Sequence, residues 1–263
     1  MKISRTALVI FAAALLANAA FASGHASYKI PNAPTNGLTK LDFPIQVLKY
    51  PDGFKDGYFF AYQFELQHKI KDAGGKNGYN GFYMGIQRHE KGNTVLCSYF
   101  GKGAHCVGGS ARGGADGEKG WSGHIDYPWK VGQKYTLHVE KVGQDKYEKI
   151  GADEEGWEGS IMDEKGQKTV ISVYAVSKEL GNLHPSEGFW VEKYMNGPEL
   201  PDIVVSFSAP VGYADGKTYP GVITKTEQPG NNQVWTTVGN PPTEAIIKSG
   251  PSEKKKADVK AEK

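Results

Sequence analysis

The chain has 263 residues, with 31 Lys and Arg against 29 Asp and Glu. A balance this even lacks the basic surface that nucleic-acid binding requires. The 34 glycines, 14 Tyr and 11 Phe favour strands and turns over helices, and the length suits one β-sandwich or barrel.

The chain opens with Lys2 and Arg5, followed by an uncharged, Ala- and Leu-rich run over 6–22 that ends in Ala20-Phe21-Ala22 before Ser23. A positive start, an apolar middle and small residues at −3 and −1 make a three-part secretory signal peptide over 1–22. The expected cut follows Ala22; a second small-residue position follows Ala26, in Gly24-His25-Ala26. As a membrane anchor the run is marginal, since a span needs about 20 apolar residues. Loss of Lys2 and Arg5 leaves 29 basic and 29 acidic residues. The expectation is an exported protein, periplasmic or extracellular, with no membrane span in its mature form.

Residues 23–41, rich in Pro, Asn and Gly, read as an extended lead-in to a β-sandwich domain over 42–248. Strands then declare themselves by alternation. Phe60, Tyr62, Phe64 and Leu66 share one face of the first, with Gln63, Glu65 and Gln67 on the other. In 81–89, Phe82, Met84 and Ile86 point one way and Tyr83, Gln87 and His89 the other. Tyr135, Leu137 and Val139 alternate with Thr136, His138 and Glu140, while 169–176 is apolar on both faces and fits a central strand. Further strands fall at 203–207 and 234–238, and turn signals such as Pro51-Asp52-Gly53, Lys91-Gly92-Asn93 and Ala214-Asp215-Gly216 separate these runs. The pattern predicts an all-β fold, a β-sandwich or jelly roll of concanavalin-like type.

Cys97 and Cys106 are the only cysteines. In an oxidising compartment a disulfide is the first reading, with Gly101 and Gly103 letting the chain reverse between them. The glycine-rich stretch 107–120 reads as a long flexible loop, and such loops often carry function. Residues 249–263, rich in Lys and Glu, read as a disordered tail.

Several short motifs bear on kinship: Tyr58-Phe59-Phe60, Gly81-Phe82-Tyr83-Met84-Gly85-Ile86-Gln87, Phe100-Gly101-Lys102-Gly103, Tyr127-Pro128-Trp129-Lys130-Val131-Gly132, Trp157-Glu158-Gly159 and Phe189-Trp190-Val191-Glu192. In this order they resemble the bacterial secreted family known as domain of unknown function 3472, across about half the chain. The resemblance implies a carbohydrate-associated β-sandwich and supplies no catalytic residues. The cysteine pair is not part of that pattern.

Sugars are held by aromatic faces against their C–H side and by planar polar groups on their hydroxyls. The candidate ligand contacts are Tyr83, Gln87 and His89 on one strand face, Arg112 and Trp121 on the rim loop, and Trp157 and Glu192. Trp129, held in Tyr-Pro-Trp before a turn, is the expected core plug. A glycosidase needs two carboxylates about 5–10 Å apart, and Glu65, Glu140, Glu158 and Glu192 all fall in or beside predicted strands. No nucleophile elbow, zinc-binding helix motif or phosphate loop is present. Asp116-Gly117-Glu118 lacks the further acids of a calcium loop. No metal or cofactor is expected. The leading expectation is a non-catalytic binder of a glycan or cell-surface polymer; a glycan hydrolase or lyase, and an envelope protein with a protein partner, are the alternatives.

Overall fold

A computed structural model describes residues 23–53, 57–69, 80–89, 92–101, 103–115, 120–193, 202–227 and 234–250. Eighteen strands are found among them. In chain order they are β1 (Ser23–Lys29), β2 (Lys40–Lys49), β3 (Tyr58–Glu65), β4 (Gly81–His89), β5 (Gly92–Phe100) and β6 (His105–Gly109). There follow β7 (Ala111–Ala115), β8 (Gly120–Asp126), β9 (Lys134–Val142), β10 (Glu154–Met162), β11 (Lys168–Ser177) and β12 (Ser186–Lys193). The last six are β13 (Ile203–Ser208), β14 (Val211–Ala214), β15 (Lys217–Pro220), β16 (Val222–Glu227), β17 (Val234–Val238) and β18 (Glu244–Ser249). The one helical element described is a 3-10 turn, Lys178–Leu180.

The strands form two antiparallel sheets packed as a sandwich. Sheet 1 runs β16-β1-β12-β3-β4-β5-β8-β7 and sheet 2 runs β17-β18-β13-β2-β9-β10-β11-β6, with the β14–β15 hairpin joined to β2. The alternation expected of β3, β4 and β9 is realised: Phe60, Tyr62, Phe64, Phe82, Met84, Ile86, Tyr135, Leu137 and Val139 are all buried in one core. β11 is interior to its sheet, between β10 and β6. Both its faces are covered, because Ile171 and Tyr174 join the main core while Val173 and Ala175 pack in a second, smaller cluster with Val107 and Ile150.

Aromatic rings tie the two sheets together. Phe207 of sheet 2 stacks on Phe189 of sheet 1, with centroids 4.8 Å apart, and Phe189 meets Tyr62 at 5.3 Å. Phe43 of sheet 2 lies 4.8 Å from Tyr62 and 5.4 Å from Phe64. The line continues through Phe82 and Tyr99 to Tyr174, back in sheet 2. Each such pair adds about 0.5–1.5 kcal/mol beyond area burial. Two of the buried tyrosine hydroxyls in this line are hydrogen-bonded: the Tyr62 Oη lies 2.8 Å from the carbonyls of both Pro44 and Ser208, and Tyr174 donates to the Cys97 carbonyl at 2.7 Å. Trp129 fills the expected plug position, its indole N–H donating to the Gln87 carbonyl at 3.1 Å.

Several sequence expectations are corrected. The lead-in begins with a strand: β1 pairs with β12 on one side and β16 on the other. Only Ala26 and Tyr28 alternate as apolar residues there, too weak a signal by itself. The glycine-rich stretch forms β6 and β7 and enters β8, because backbone pairing does not need side chains; 116–119, with the Asp-Gly-Glu motif, lie outside the described residues. β18 extends to Ser249, which is buried, so the sheet continues one residue into the expected tail.

The cysteines are free. Between them the chain crosses from sheet 1 to sheet 2 instead of folding back as a hairpin. Cys97 points into the core opposite Gly159, where a Cβ would stand 2.4 Å from its sulfur. Cys106 pairs with Tyr174 in the ladder and donates to the Gly108 carbonyl at 3.3 Å. Burial pushes the Cys97 thiol up to about 12, against a hydrogen bond with Ser172. In the native protein, iodoacetamide at pH 8 is expected to modify half-buried Cys106 and spare Cys97, with both modified in urea; mass spectrometry without reductant reads this, and two unreactive cysteines in urea would restore the disulfide.

Candidate functional site

The pleat that buries one side of sheet 1 presents the other to the outside, and cross-strand register orders that outer face into rows. One row runs Glu192, Phe59, Gln87, Thr94, Asp126 across β12, β3, β4, β5 and β8. The next runs His25, Trp190, Ala61, Gly85, Leu96, His124. The third runs Gln63, Tyr83, Ser98, Ser122, Arg112.

Small residues in the middle row let large rings lie against the sheet. A Cβ on Gly85 would sit 2.3 Å from the Phe60 carbonyl oxygen and 2.6 Å from the Phe59 ring. Trp190, beside Ala61, takes Phe59 edge-on at 6.1 Å and Tyr83 edge-on at 5.1 Å. His25 stacks on Trp190 at 6.1 Å and 15°. Tyr83 meets Phe100 at 4.4 Å. Phe59 is buried, whereas His25, Tyr83, Phe100 and Trp190 are partly exposed. The result is an aromatic platform bordered by planar polar side chains, Gln63, Gln87 and Glu192. The Trp190 indole N–H donates to the Glu192 carboxylate at 3.0 Å, fixing both.

Tyr83, Gln87, Arg112 and Glu192 therefore share this face, as candidates from sequence should. Gln87 is largely buried and Arg112 is exposed at the far end of its row. His89 closes β4 opposite Gly92, but its side chain lies outside the described residues. Two candidates are elsewhere. Trp157 is 0% exposed in the main core, beside Tyr174 in the ladder, and has no face to offer a ligand. Trp121 pairs with inward-facing Tyr99 and packs against the core edge, its N–H donating to the Ala104 carbonyl at 2.8 Å. Trp190, Phe59, Phe100 and His25 were missed as contacts, although a period-of-two count from Phe189 and Val191 places Trp190 outward.

The outer face of sheet 2 is different in kind. Glu140 and Glu158 are directly opposed on β9 and β10, yet lysines bridge them. Lys146 and Lys168 each approach Glu158 at 2.7 Å, and the Tyr147 hydroxyl donates to it at 2.6 Å. Lys168 also pairs with Glu140. Burial would raise the Glu158 carboxyl, but these partners outweigh it and hold it near about 2. Alongside, His138 Nδ1 lies 2.5 Å from Asp42, whose other oxygen accepts from the Tyr213 hydroxyl at 2.9 Å. A carboxyl held ionised and wholly buried has no proton to give, so this pair is structural.

A third acid environment lies at the end of sheet 1. Burial first, then the Glu65 carboxylate, push the Glu187 carboxyl up to about 7, against the opposing pull of Lys69. Lys69 approaches Glu65 at 3.5 Å. Among the described residues no group of three or more His, Cys, Asp or Glu is arranged to hold a metal ion.

The two acids titrate in opposite senses. A depressed Glu158 stabilises the fold above its unfolded value, about 4.3, and loses that contribution as pH falls toward 2. Glu158→Gln is expected to cost about 2–3 kcal/mol at pH 7 and progressively less below pH 4 in urea titrations. A raised Glu187 carries its stabilising contribution below about 4.3 and loses it as pH rises through 7. Glu187→Gln should thus gain on the order of 1–2 kcal/mol at pH 8 and nothing at pH 4.

No protein-family model matches the chain, and no curated protein matches it. Among solved structures, the chain is similar to a crystal structure of scytalido-glutamic peptidase with a peptide-based transition-state analogue, at TM-score 0.46 and 12% identity over 87% of this chain and 98% of that one. A second, of scytalido-glutamic peptidase with a transition-state-analogue inhibitor, gives TM-score 0.36 and 12% identity over 87% and 92% of the two chains.

Proposed function

We propose that the protein is an exported, non-catalytic binder of a glycan or cell-surface polymer, which it takes on the outer face of sheet 1. The observation that carries this reading is the platform of Trp190, Tyr83 and Phe100, with Glu192 and Gln87 beside it. Apolar C–H faces of sugar rings pack on such aromatics while amide and carboxylate groups take the hydroxyls. The sequence resemblance to a carbohydrate-associated family and the secretory leader point the same way.

Carboxylate spacing separates this from hydrolysis at the same face. Glu192 and Asp126 share a row but stand four strands apart, about 19 Å at ~4.8 Å per strand. Glu65 lies six residues along β3 from Phe59, the neighbour of Glu192, or about 20 Å. Both separations exceed the ~5–10 Å that a glycosidase pair needs. One observation favours a hydrolase as second reading: the Glu187 carboxyl, raised to about 7 by burial and by the Glu65 carboxylate, suits a general acid.

A glycan array on the chain beginning at Ser23 is expected to give a polysaccharide class that binds. Trp190→Ala should weaken it roughly two- to tenfold, since an aromatic contact is worth about 0.5–1.5 kcal/mol, and inward-packed Trp121→Ala should change it little. No binding to any glycan sinks the proposal. Reducing-sugar release that is lost in Glu187→Gln would establish the second reading instead.

A further inference from the structure

The sequence favours a leader cut after Ala22 over one after Ala26, and β1 bears on that choice. β1 is an interior strand, in register from Ser23 opposite Glu192 to Lys29 opposite Ser186. Its other edge pairs with β16 from His25 onward. Ala26, Tyr28 and Ile30 are buried in the main core, and Tyr28 donates to the Gln63 carbonyl at 2.9 Å. A cut after Ala26 would delete four of the seven β12 pairings, remove His25 from Trp190 and leave β12 and β16 with unpaired backbone between them. Each orphaned buried group carries a desolvation penalty.

A cut after Ala22 does something else: it makes Ser23 a chain terminus. Ser23 and Glu192 are cross-strand neighbours, with Cα atoms about 4.5–5.5 Å apart. Glu192 is already oriented by the Trp190 indole. We propose that the exported chain is processed between Ala22 and Ser23, and that the resulting Ser23 α-ammonium docks beside the Glu192 carboxylate at the rim of the aromatic face. In this step a host signal peptidase adds water across the peptide bond; the Ala22 carboxylate leaves with the leader and the Ser23 amine takes up a proton. Processing thus places a positive charge at the β1 end of the outer face, at the opposite end of the sheet from Arg112 on β7. The inference does not rest on glycan binding and survives its failure.

The test has three readings. The full-length chain, expressed with its leader in a bacterial host and recovered from the exported fraction, is expected to show an intact mass lacking residues 1–22; a start at Ser27 or a retained leader overturns the proposal. Chains produced with Ser23 or Ser27 as first residue are compared by thermal melting. The shorter is expected to melt about 10 °C lower or to lose cooperativity, and equal midpoints overturn the role of the strand. Titration of the α-amine with an amine-reactive label in the Ser23 chain should give a value above about 9, not the ordinary ~7.7–8.0. Glu192→Gln, with its fold checked by the melt, should return it to that range. An ordinary value in the parent chain overturns the docking.

Discussion

Everything in this molecule follows from the aromatic line that joins the two sheets. Phe207, Phe189, Tyr62, Phe43, Phe64, Phe82, Tyr99 and Tyr174 hand on contact from one sheet to the other and back. Strands have a period of two, so fixing Phe82 and Tyr62 inward fixes Tyr83 and Gln63 outward with no further choice. A slip of one residue on β3 or β12 would bury Gln63 or Glu192 and expose Phe64 or Phe189. The candidate site is in this sense the reverse side of the core, held by the same register.

The two outer faces use polar groups in opposite ways. On sheet 2, Glu140, Glu158, Lys146, Lys168, Tyr147, His138 and Asp42 satisfy one another across β2, β9, β10 and β11 and the loop between β9 and β10. Glu158 needs them most, because it is wholly buried beside Val173 of the small cluster in the ladder, whereas Glu140 stays partly exposed. On the outer face of sheet 1, Glu192 and Asp126 stand four strands apart, and the rings of Trp190 and Phe59 lie beside Glu192. Mutual neutralisation makes the first face a brace; on the second, polar groups stand apart around partly exposed rings.

How much of this the sequence disclosed depends on side-chain density. Alternation in 58–68 and 81–89 is strong, and it placed Tyr83 and Gln87 on the outer face. β1 is hidden because Ser-Gly-His-Ala-Ser-Tyr-Lys has little apolar content, and its strand character comes from partners more than 150 residues away. β6 and β7 were hidden in the same way by glycine. Trp157 illustrates the converse limit: flanking glycines suggest an accessible ring, but its parity with Gly159 and Ile161 turns it into the core. The cysteine pair misled because closeness in sequence implies closeness in space only within a hairpin, and here the chain changes sheets between them.

β1 is where the core and the outer face meet in one short element. Tyr28 packs on Phe43 at 5.9 Å inside the sandwich, while His25, three residues earlier, lies on Trp190 outside. Burial first lowers the affinity of His25 for a proton, against the pull of Glu227 on β16. Near neutrality His25 is thus a flat neutral ring, which extends the platform without adding charge to it. Any change that loosens β1 from β12 removes an aromatic from the site and opens the core with the same movement. The shape of the outer aromatic face and folding stability are for that reason coupled at this strand.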